Sequence, residues 1–292
     1  MTGLLIATLD GNLRPDDQPL LRADELGALR GDGVFETTLA VEGVPRDLDE
    51  HLARLATSAK MLDIDLPAGP EWHPAIDAVL AAWRAAGGDT EMVLRLLGTR
   101  GPESTGAPTC WVMGSAVAEE TRRQRAGARI RTLPRGFTGS EVADMPWLLP
   151  GAKTLSYAIN MAAIRHAKSL GDDDVVFIGS DDTVLEGPTA TVVLADGDSL
   201  VTPPRDGVLD GITVRRLFAA AEAAGWSVAY QPVEPARLLA AEGAYLLSSV
   251  RLLTPIVAVD GTERAVGPRT AELAQLLGVQ PNEEAVPSAA GA

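Results

Sequence analysis

Short apolar segments bounded by turn residues alternate irregularly with helical segments along this chain. Strand-like examples are LLIATLDG and GVFETTLAVEG near the start, and TATVVLAD and GAYLLSSV further on. Segments rich in Val, Leu and Thr that end at Gly or Asp are typical of β-strands. Because these strands do not alternate regularly with helices, they favour a mixed sheet or barrel over a doubly wound parallel sheet. The expected fold class is α+β.

Helical periodicity is clearest in DLDEHLARLATSAKMLDI. Its apolar residues recur at helical spacing and form one stripe, made of Leu48, Leu52, Leu55, Ala59 and Leu62. The same periodicity predicts helices in PAIDAVLAAWRAAG, SYAINMAAIRHAKSLG and TVRRLFAAAEAAG. The segment DVVFIGSDDTVLEG is predicted to form a hairpin.

The length of 292 residues suits two domains. Turn-forming residues without a sustained period extend from about residue 121 to residue 150, which marks the boundary region. We predict a small N-terminal α/β domain over residues 1–134 and an interdomain loop over 135–150. A larger C-terminal domain over 151–285 and a tail over 286–292 complete the prediction.

Composition excludes several classes of function. A net charge of −15 argues against nucleic acid or anionic membranes as partners, since both require a basic surface. No apolar run approaches the roughly 20 residues that span a bilayer, and the first residues lack the basic start of a signal peptide. The three histidines have no Cys or carboxylate partners at ligand spacing, so no metal site is predicted. A single cysteine, Cys110, fits a reducing cytoplasm.

Lysine is rare in this chain: Lys60, Lys153 and Lys168 stand among 25 basic residues that are otherwise arginine. Arginine stays protonated, whereas a desolvated lysine can lose its proton and attack a carbonyl to form a Schiff base. Lys60 on a helix flank and Lys168 near a helix C-terminus have structural explanations. Lys153 lies where an irregular apolar segment enters a helix, so it is either a reactive amine or an exposed surface amine.

Two later stretches add to this. In DGITVRRL a helix begins after Gly211, which leaves the amides of Ile212 and Thr213 at its first turn, where a phosphate can bind. Thr213 as a plain helix cap is the alternative. In TVLEGPT the lone carboxylate of Glu186 ends an apolar strand, and if buried it needs a cation or a hydrogen-bond donor. An exposed turn glutamate is the alternative there.

Taken together, these residues resemble those of the class IV aminotransferases, the fold-type IV pyridoxal 5'-phosphate (PLP) enzymes. The similarity covers nearly the whole chain, from RGDGVFET through HLARLATSAKML, AKTLSYAIN, VLEGPTATVV and GITVRRL to LLSSVRLLTPIVAVDG. It implies a small N-terminal α/β domain and a larger barrel-like C-terminal domain, joined by a mobile loop. It also implies a homodimer in which the cofactor lies between the domains.

The resemblance assigns roles to individual residues. Lys153 is the lysine that holds PLP and moves the proton of the substrate, and Glu186 faces the pyridine nitrogen. Tyr157 is similar to the phenol near the cofactor O3′, with a packed helix residue as the alternative. The expected phosphate contacts come from Arg54 and from the second half of the chain, namely Gly211, Ile212, Thr213, Ser248 and Ser249.

The family contains transaminases for branched-chain L-amino acids, D-amino acids and (R)-amines, and also 4-amino-4-deoxychorismate lyases. FETTL resembles the D-amino-acid and lyase branches, although Phe35 stands where the D-amino-acid enzymes have tyrosine and their Arg-x-His carboxylate trap is missing. Candidates for the substrate carboxylate are Arg30, Arg95 and Arg100, each of which could instead form a structural ion pair.

We therefore predict transfer of an amino group between a D-amino acid and a 2-oxo acid. The lyase, which gives pyruvate and 4-aminobenzoate, is the first alternative, although Ser156 and the segment LSSVR depart from its usual pattern. A catalytically silent metabolite-binding member of the fold is the second.

Overall fold

A computed structural model describes residues 3–279. By their internal contacts the described residues form two compact units. The first contains Met1–Ala118 and Pro146–Ala158, and the second contains Glu119–Met145 and Ile159–Ala292, as far as these ranges are described. The division into domains at residues 134 and 150 stays a prediction, and the predicted tail 286–292 lies outside the described residues.

The first unit is built on a six-stranded antiparallel sheet with the order β2-β1-β6-β5-β3-β4. Its strands are β1 (Leu5–Thr8), β2 (Leu13–Arg14), β3 (Gly33–Val41), β4 (Val44–Pro45), β5 (Glu91–Thr99) and β6 (Thr109–Ala116). Its helices are α1 (Leu26–Arg30), α2 (Leu48–Met61) and α3 (His73–Ala85), with 3-10 turns at Gly69–Trp72 and Pro146–Leu148.

Two periodicities in the sequence create the core of this unit. Val34 and Ala40 lie on the same face of β3, because side chains alternate along a strand. They pack against the apolar stripe of α2, whose members Leu52, Leu55 and Ala59 are at most 7% exposed. The expected amphipathic helix is confirmed, and β3 is left with a second face, on which Phe35 lies.

The second unit contains an eight-stranded sheet in which parallel and antiparallel pairs are mixed. Its strands are β7 (Ala128–Pro134), β8 (Asp174–Ile178), β9 (Thr191–Asp196), β10 (Ser199–Thr202), β11 (Ser227–Tyr230), β12 (Gly243–Ser248), β13 (Leu252–Val259) and β14 (Thr262–Glu263). Its helical segments are α4 (Glu119–Gln124), α5 (Gly139–Ala143), α6 (Ala158–Ser169), α7 (Ile212–Ala223), α8 (Arg237–Ala240) and α9 (Thr270–Leu276).

The sheet follows the order β11-β10-β9-β12-β13-β7-β8, with β14 paired to β13. It curls into a half-barrel, and one cluster of its buried residues includes Val192, Leu246 and Ile256. The predicted α+β class and the predicted mixed sheet are thereby confirmed. Between residues 3 and 279, no helix combines the length and the apolar character needed to cross a membrane.

The predicted hairpin in DVVFIGSDDTVLEG is confirmed by its backbone bonds. The amide of Leu185 donates to the carbonyl of Phe177, and the amide of Phe177 donates to the carbonyl of Glu186, both at 2.9 Å. Between these bonds, Ile178 and Val184 form an antiparallel bridge. Glu186 therefore lies at the end of the returning leg of this hairpin, next to β8.

Candidate active site

The segment around Lys153 is fixed to the first strand residues of β3. The amide of Phe35 donates to the carbonyl of Lys153 at 3.1 Å, and the amide of Leu155 donates to the carbonyl of Gly33 at 2.8 Å. These two bonds enclose an isolated antiparallel bridge between Val34 and Thr154. Backbone bonds of this kind hold the lysine in one place along the sheet, although its segment is otherwise irregular.

The close approach of this segment depends on Gly31, the residue that ends α1. Gly31 adopts the left-handed conformation, with φ of 68°, which glycine reaches at little cost. A Cβ atom at this position would lie 2.9 Å from Ser156 Oγ and 3.1 Å from Ser156 Cα. Ser156 Oγ in turn donates to the carbonyl of Gly31 at 3.2 Å. The glycine thus both ends the helix and admits the lysine segment.

The Lys153 amine lies among aromatic rings. Its Nζ atom is 4.4 Å from the centroid of the Phe35 ring and 6.0 Å from that of Tyr157. The two rings meet edge to face with centroids 5.3 Å apart. Lys153, Phe35 and Tyr157 are all half-buried. The two rings cover part of this amine, and a lysine amine is the nucleophile that forms a Schiff base with a carbonyl group.

Helix α2 brings a second predicted residue close to this lysine. The amide of Lys153 donates to Ser58 Oγ at 3.1 Å, and Ser58 lies four residues after Arg54 on α2. Residues four apart share one face of a helix. Lys153 and Arg54, which are 99 positions apart in the sequence, therefore lie in one region of the first unit.

Arg54 forms a bidentate ion pair with Glu36. Its Nε atom lies 2.6 Å from Glu36 Oε1 and its Nη2 atom lies 2.9 Å from Glu36 Oε2. His51 Nδ1 contacts the same Oε2 atom at 2.6 Å. The side chains are 0% exposed for Glu36, 1% for His51 and 12% for Arg54. Although burial opposes ionisation, the hydrogen bonds from Arg54 and His51 lower the pKa of Glu36 to about 2.

In the second unit, Glu186 is held close to the start of α7. The amide of Leu209 donates to Glu186 Oε2 at 3.2 Å, and Leu209 precedes the helix by only three residues. The Glu186 side chain is half-buried and follows the buried residues Val184 and Leu185. A carboxylate and a helix start, predicted separately from the sequence, thus occupy one region of this unit.

The N-terminus of α7 carries no side-chain cap. Gly211 occupies the capping position, and no side chain accepts a hydrogen bond there. Ile212 and Thr213, the first two helical residues, are 3% and 7% exposed. A Cβ atom on Gly211 would lie 2.7 Å from Thr191 Oγ1. Amides at an uncapped helix start carry a partial positive charge, which suits an anion.

Ser248 and Ser249 lie at the end of β12, where the chain turns into β13. Arg251, the last residue of this turn, pairs with Asp174 at 2.7 Å, and their side chains are 9% and 2% exposed. A second arginine, Arg125, donates from Nη2 to the carbonyl of Val250 at 2.8 Å. Two guanidinium groups therefore support the turn that presents the serines.

The three candidate arginines for the substrate differ in their surroundings. Arg30 is 63% exposed and pairs with Glu103 at 3.5 Å. Arg100 pairs with Asp32 at 2.7 Å and also donates to the carbonyls of Leu62 and Asp63. The Asp32 carboxylate raises the pKa of Arg100, so this guanidinium is committed to structural partners.

Arg95 differs from both. It pairs across the sheet with Thr37, while Phe35 pairs with Leu97, so Arg95 and Phe35 lie on one face of the sheet. Its Nη1 atom is 3.5 Å from Ser115 Oγ, and no carboxylate of residues 3–279 lies within ion-pair distance. Burial lowers the pKa of Arg95.

Sequence reasoning missed Glu36, His51 and Ser58. A usable signal existed for Glu36: strand alternation assigns it to the same face as Val34 and Ala40, where a carboxylate requires a partner. His51 and Arg54, three residues apart on α2, share the helix face that could supply that partner. The contact of Ser58 depends on the irregular lysine segment, which no periodicity describes.

These groups suit the chemistry of PLP, which has an aldehyde, a phosphate and a pyridine nitrogen. The first unit offers an amine among aromatic rings and a guanidinium. The second offers a half-buried carboxylate, uncapped helix amides beside a glycine that a Cβ would crowd, and a pair of serine hydroxyls.

Comparison with known proteins identifies the family of the chain. The family model for amino-transferase class IV matches residues 33–259. A bifunctional aminodeoxychorismate lyase / D-amino acid transaminase from Mycobacterium tuberculosis is 42% identical over 266 residues, which are 88% of this chain and 92% of that protein.

Solved structures give the same result. A hypothetical aminotransferase from Mycobacterium tuberculosis in its PLP-bound form has a TM-score of 0.91 and 40% identity, and the match covers 94% of this chain and 98% of that one. A fold IV transaminase from Curtobacterium pusillum has a TM-score of 0.88 and 38% identity, covering 94% and 99%. The protein is a PLP-dependent enzyme, and the chain belongs to the class IV aminotransferase family.

Proposed function

We propose that this enzyme transfers an amino group between a D-amino acid and a 2-oxo acid, with Lys153 as the residue that binds PLP covalently. When bound, PLP withdraws electrons from the substrate α-carbon and so makes its proton acidic. Lys153 removes this proton and delivers it to the cofactor C4′ atom. The D-amino-acid preference is supported by the similarity to the bifunctional mycobacterial enzyme.

The setting of Lys153 is the observation that carries this proposal. Its Nζ atom lies 4.4 Å from the Phe35 ring centroid, and its backbone is bonded on both sides, to Phe35 of β3 and to Ser58 of α2. A lysine that serves as both nucleophile and base has to return to one position after each proton transfer. The backbone bonds to β3 and α2 hold Lys153 in that position.

We assign the cofactor contacts as follows. Arg54, the amides of Ile212 and Thr213 after Gly211, and the hydroxyls of Ser248 and Ser249 bind the phosphate. Glu186 holds the pyridine nitrogen protonated, which strengthens electron withdrawal by the ring. Tyr157 would contact the O3′ atom.

For the substrate carboxylate we favour Arg95. It lies on the sheet face of Phe35 and has no carboxylate partner among residues 3–279, whereas Arg30 and Arg100 already form ion pairs. Replacement by alanine should raise KM for the amino acid by about tenfold or more, the effect of losing one charged contact, with a smaller change in kcat. Arg30→Ala is the matched control. Equal effects of both variants would show that Arg95 does not bind the substrate carboxylate.

The decisive assay supplies D-alanine and 2-oxoglutarate to the PLP-loaded enzyme. Pyruvate and D-glutamate are the expected products, and chiral chromatography of the glutamate identifies the enantiomer. L-Alanine as the amino donor provides the control. Transfer from L-alanine alone would contradict the proposed stereochemistry, and no transfer from any amino acid would contradict the transaminase assignment.

Aminodeoxychorismate lyase activity is the second candidate, because the mycobacterial relative is named for both activities. The assay supplies aminodeoxychorismate and measures 4-aminobenzoate. Production of 4-aminobenzoate together with transfer from D-alanine would make this enzyme bifunctional as well, whereas 4-aminobenzoate alone would replace the transaminase proposal. Membership in the family favours either enzyme over the catalytically silent alternative.

We also propose a homodimer. Helix α6 has only Ala167 buried within the described chain, although it is largely apolar, and Ile159 and Met161 are 67% and 40% exposed. Exposed apolar surface of this kind is typical of a protein interface. Light scattering should give twice the chain mass of 30.5 kDa, and Ile159→Glu should shift the mass toward one chain. A single-chain mass for the parent protein would contradict the dimer.

The single cysteine supports a cytoplasmic location, which cell fractionation tests.

A further inference from the structure

Glu36 is a buried carboxylate that bonds to two side chains of α2 and to the backbone amide of Thr37, which donates to its Oε2 atom at 3.3 Å. It accepts hydrogen bonds from Arg54 through both of its oxygens and contacts His51 through Oε2. A buried ion pair is weak evidence for stability, because the cost of desolvating the two charges offsets their attraction. Apolar residues would join α2 to β3 at least as well. The pair therefore calls for an explanation other than stability.

The geometry of the pair supplies one. Glu36 engages the Nε and Nη2 atoms of Arg54, which form one edge of the planar guanidinium. A bidentate contact fixes both the position and the plane of that group, so that its Nη1 side is directed away from the carboxylate. His51 restricts the rotation of the carboxylate by contacting Oε2 at 2.6 Å.

We propose that Glu36 and His51 are positioning residues for phosphate recognition: they hold the Arg54 guanidinium in the orientation in which it meets the PLP phosphate. This inference rests on the proposed function, in which Arg54 binds that phosphate. It predicts that loss of Glu36 acts through the phosphate alone, because the Glu36 and His51 side chains are only 0% and 1% exposed and so offer no surface to a ligand.

The experiment compares PLP with pyridoxal, which lacks the phosphate. The full chain is freed of cofactor, and each ligand is titrated while the absorbance of the lysine-bound form is recorded. Glu36→Gln should weaken PLP binding by about tenfold, equivalent to roughly 1.4 kcal/mol, and should change pyridoxal binding by less than about twofold. Glu25→Gln is the matched control: Glu25 is also 0% exposed in the first unit, but it bonds to Thr99 and Thr109.

A general loss of structure would weaken both ligands equally, and that result would overturn the inference. If Glu36→Gln does not fold, as judged by circular dichroism, His51→Asn replaces it, since this variant leaves the ion pair in place and removes the His51 contact with Oε2. His51→Asn should weaken PLP binding selectively but less than Glu36→Gln does.

Arg54→Gln separates the inference from the function on which it rests. If Arg54→Gln leaves the ratio of PLP to pyridoxal affinity unchanged, Arg54 does not bind the phosphate and the assignment made above is wrong. If Arg54→Gln lowers the ratio but Glu36→Gln and His51→Asn do not, the positioning role alone is wrong.

Discussion

The two units each contain a buried arginine–carboxylate pair, and they use it differently. In the first unit the pair is Glu36 with Arg54, and the arginine itself is the proposed phosphate contact. In the second unit the pair is Asp174 with Arg251, and Arg251 belongs to the same turn as Ser249. The proposed contacts there are hydroxyl groups and helix amides. A buried arginine–carboxylate pair thus orients a charged phosphate contact in the first unit. In the second unit it supports a turn whose contacts are uncharged hydroxyl groups.

The largest expected effect concerns the second pair. Arg251→Leu leaves the Asp174 carboxylate buried without its cation, and breaking a buried pair in this way costs roughly 3–5 kcal/mol. Denaturant unfolding should show this loss. The double variant with Asp174→Leu should recover much of it, because no lone charge remains. Equal stability of the single variant and the parent would mean that the pair does not support the turn.

The next largest effect is expected on PLP affinity, from a substitution at the start of α7. Gly211→Ala places a Cβ atom 2.7 Å from Thr191 Oγ1, directly before the proposed phosphate amides. Because φ is −70° at this residue, the backbone itself is not strained. PLP affinity should fall by about tenfold. Gly69→Ala, whose Cβ would have only an ordinary contact of 3.7 Å with Leu52, should leave affinity unchanged. Similar losses in both variants would contradict the assignment of α7.

The third prediction concerns acid. Hydrogen bonds from Arg54 and His51 lower the pKa of Glu36 from 4.5 to about 2. A carboxyl group with a lowered pKa contributes stability above its unfolded-state pKa and loses that contribution as the pH falls toward the folded-state pKa. The stability difference between the parent and Glu36→Gln should therefore be constant above about pH 5 and should shrink between pH 4.5 and pH 2. A difference that stays constant down to pH 2.5 would contradict the lowered pKa.

The smallest effect belongs to an exposed pair. Arg30 and Glu103 are 63% and 64% exposed and lie 3.5 Å apart, and such pairs contribute at most about 1 kcal/mol. Arg30→Ala should shift the unfolding midpoint by less than about a third of the shift caused by Arg251→Leu. A larger shift would indicate that burial does not explain the different stability contributions of the Arg30–Glu103 and Arg251–Asp174 pairs.

Much of the architecture could be predicted because it depends on local periodicity. The stripe of α2, the alternation of β3 and the glycine before α7 are each encoded within a short stretch. The mixed sheet could also be predicted, from the irregular order of strands and helices. These features require no knowledge of distant contacts.

Other features of the site depend on contacts between distant residues. Lys153 meets Phe35 and Ser58 only after the irregular segment 151–157 has paired with β3, and no periodicity specifies that pairing. The sequence places Glu186 at the end of a hairpin, but its contact with the Leu209 amide joins two separate segments of the chain. Arg100 looked as suitable for the substrate as Arg95 until Asp32 and two carbonyl groups were found around it.

The most direct test of the account identifies the lysine that binds PLP. The PLP-loaded enzyme is reduced with borohydride, digested, and analysed by mass spectrometry for the peptide that carries the pyridoxyl group. The predicted result is modification at Lys153, together with loss of the visible absorption band, and no modification in Lys153→Ala. A pyridoxyl group on Lys60 or Lys168, or on no lysine at all, would contradict the central claim.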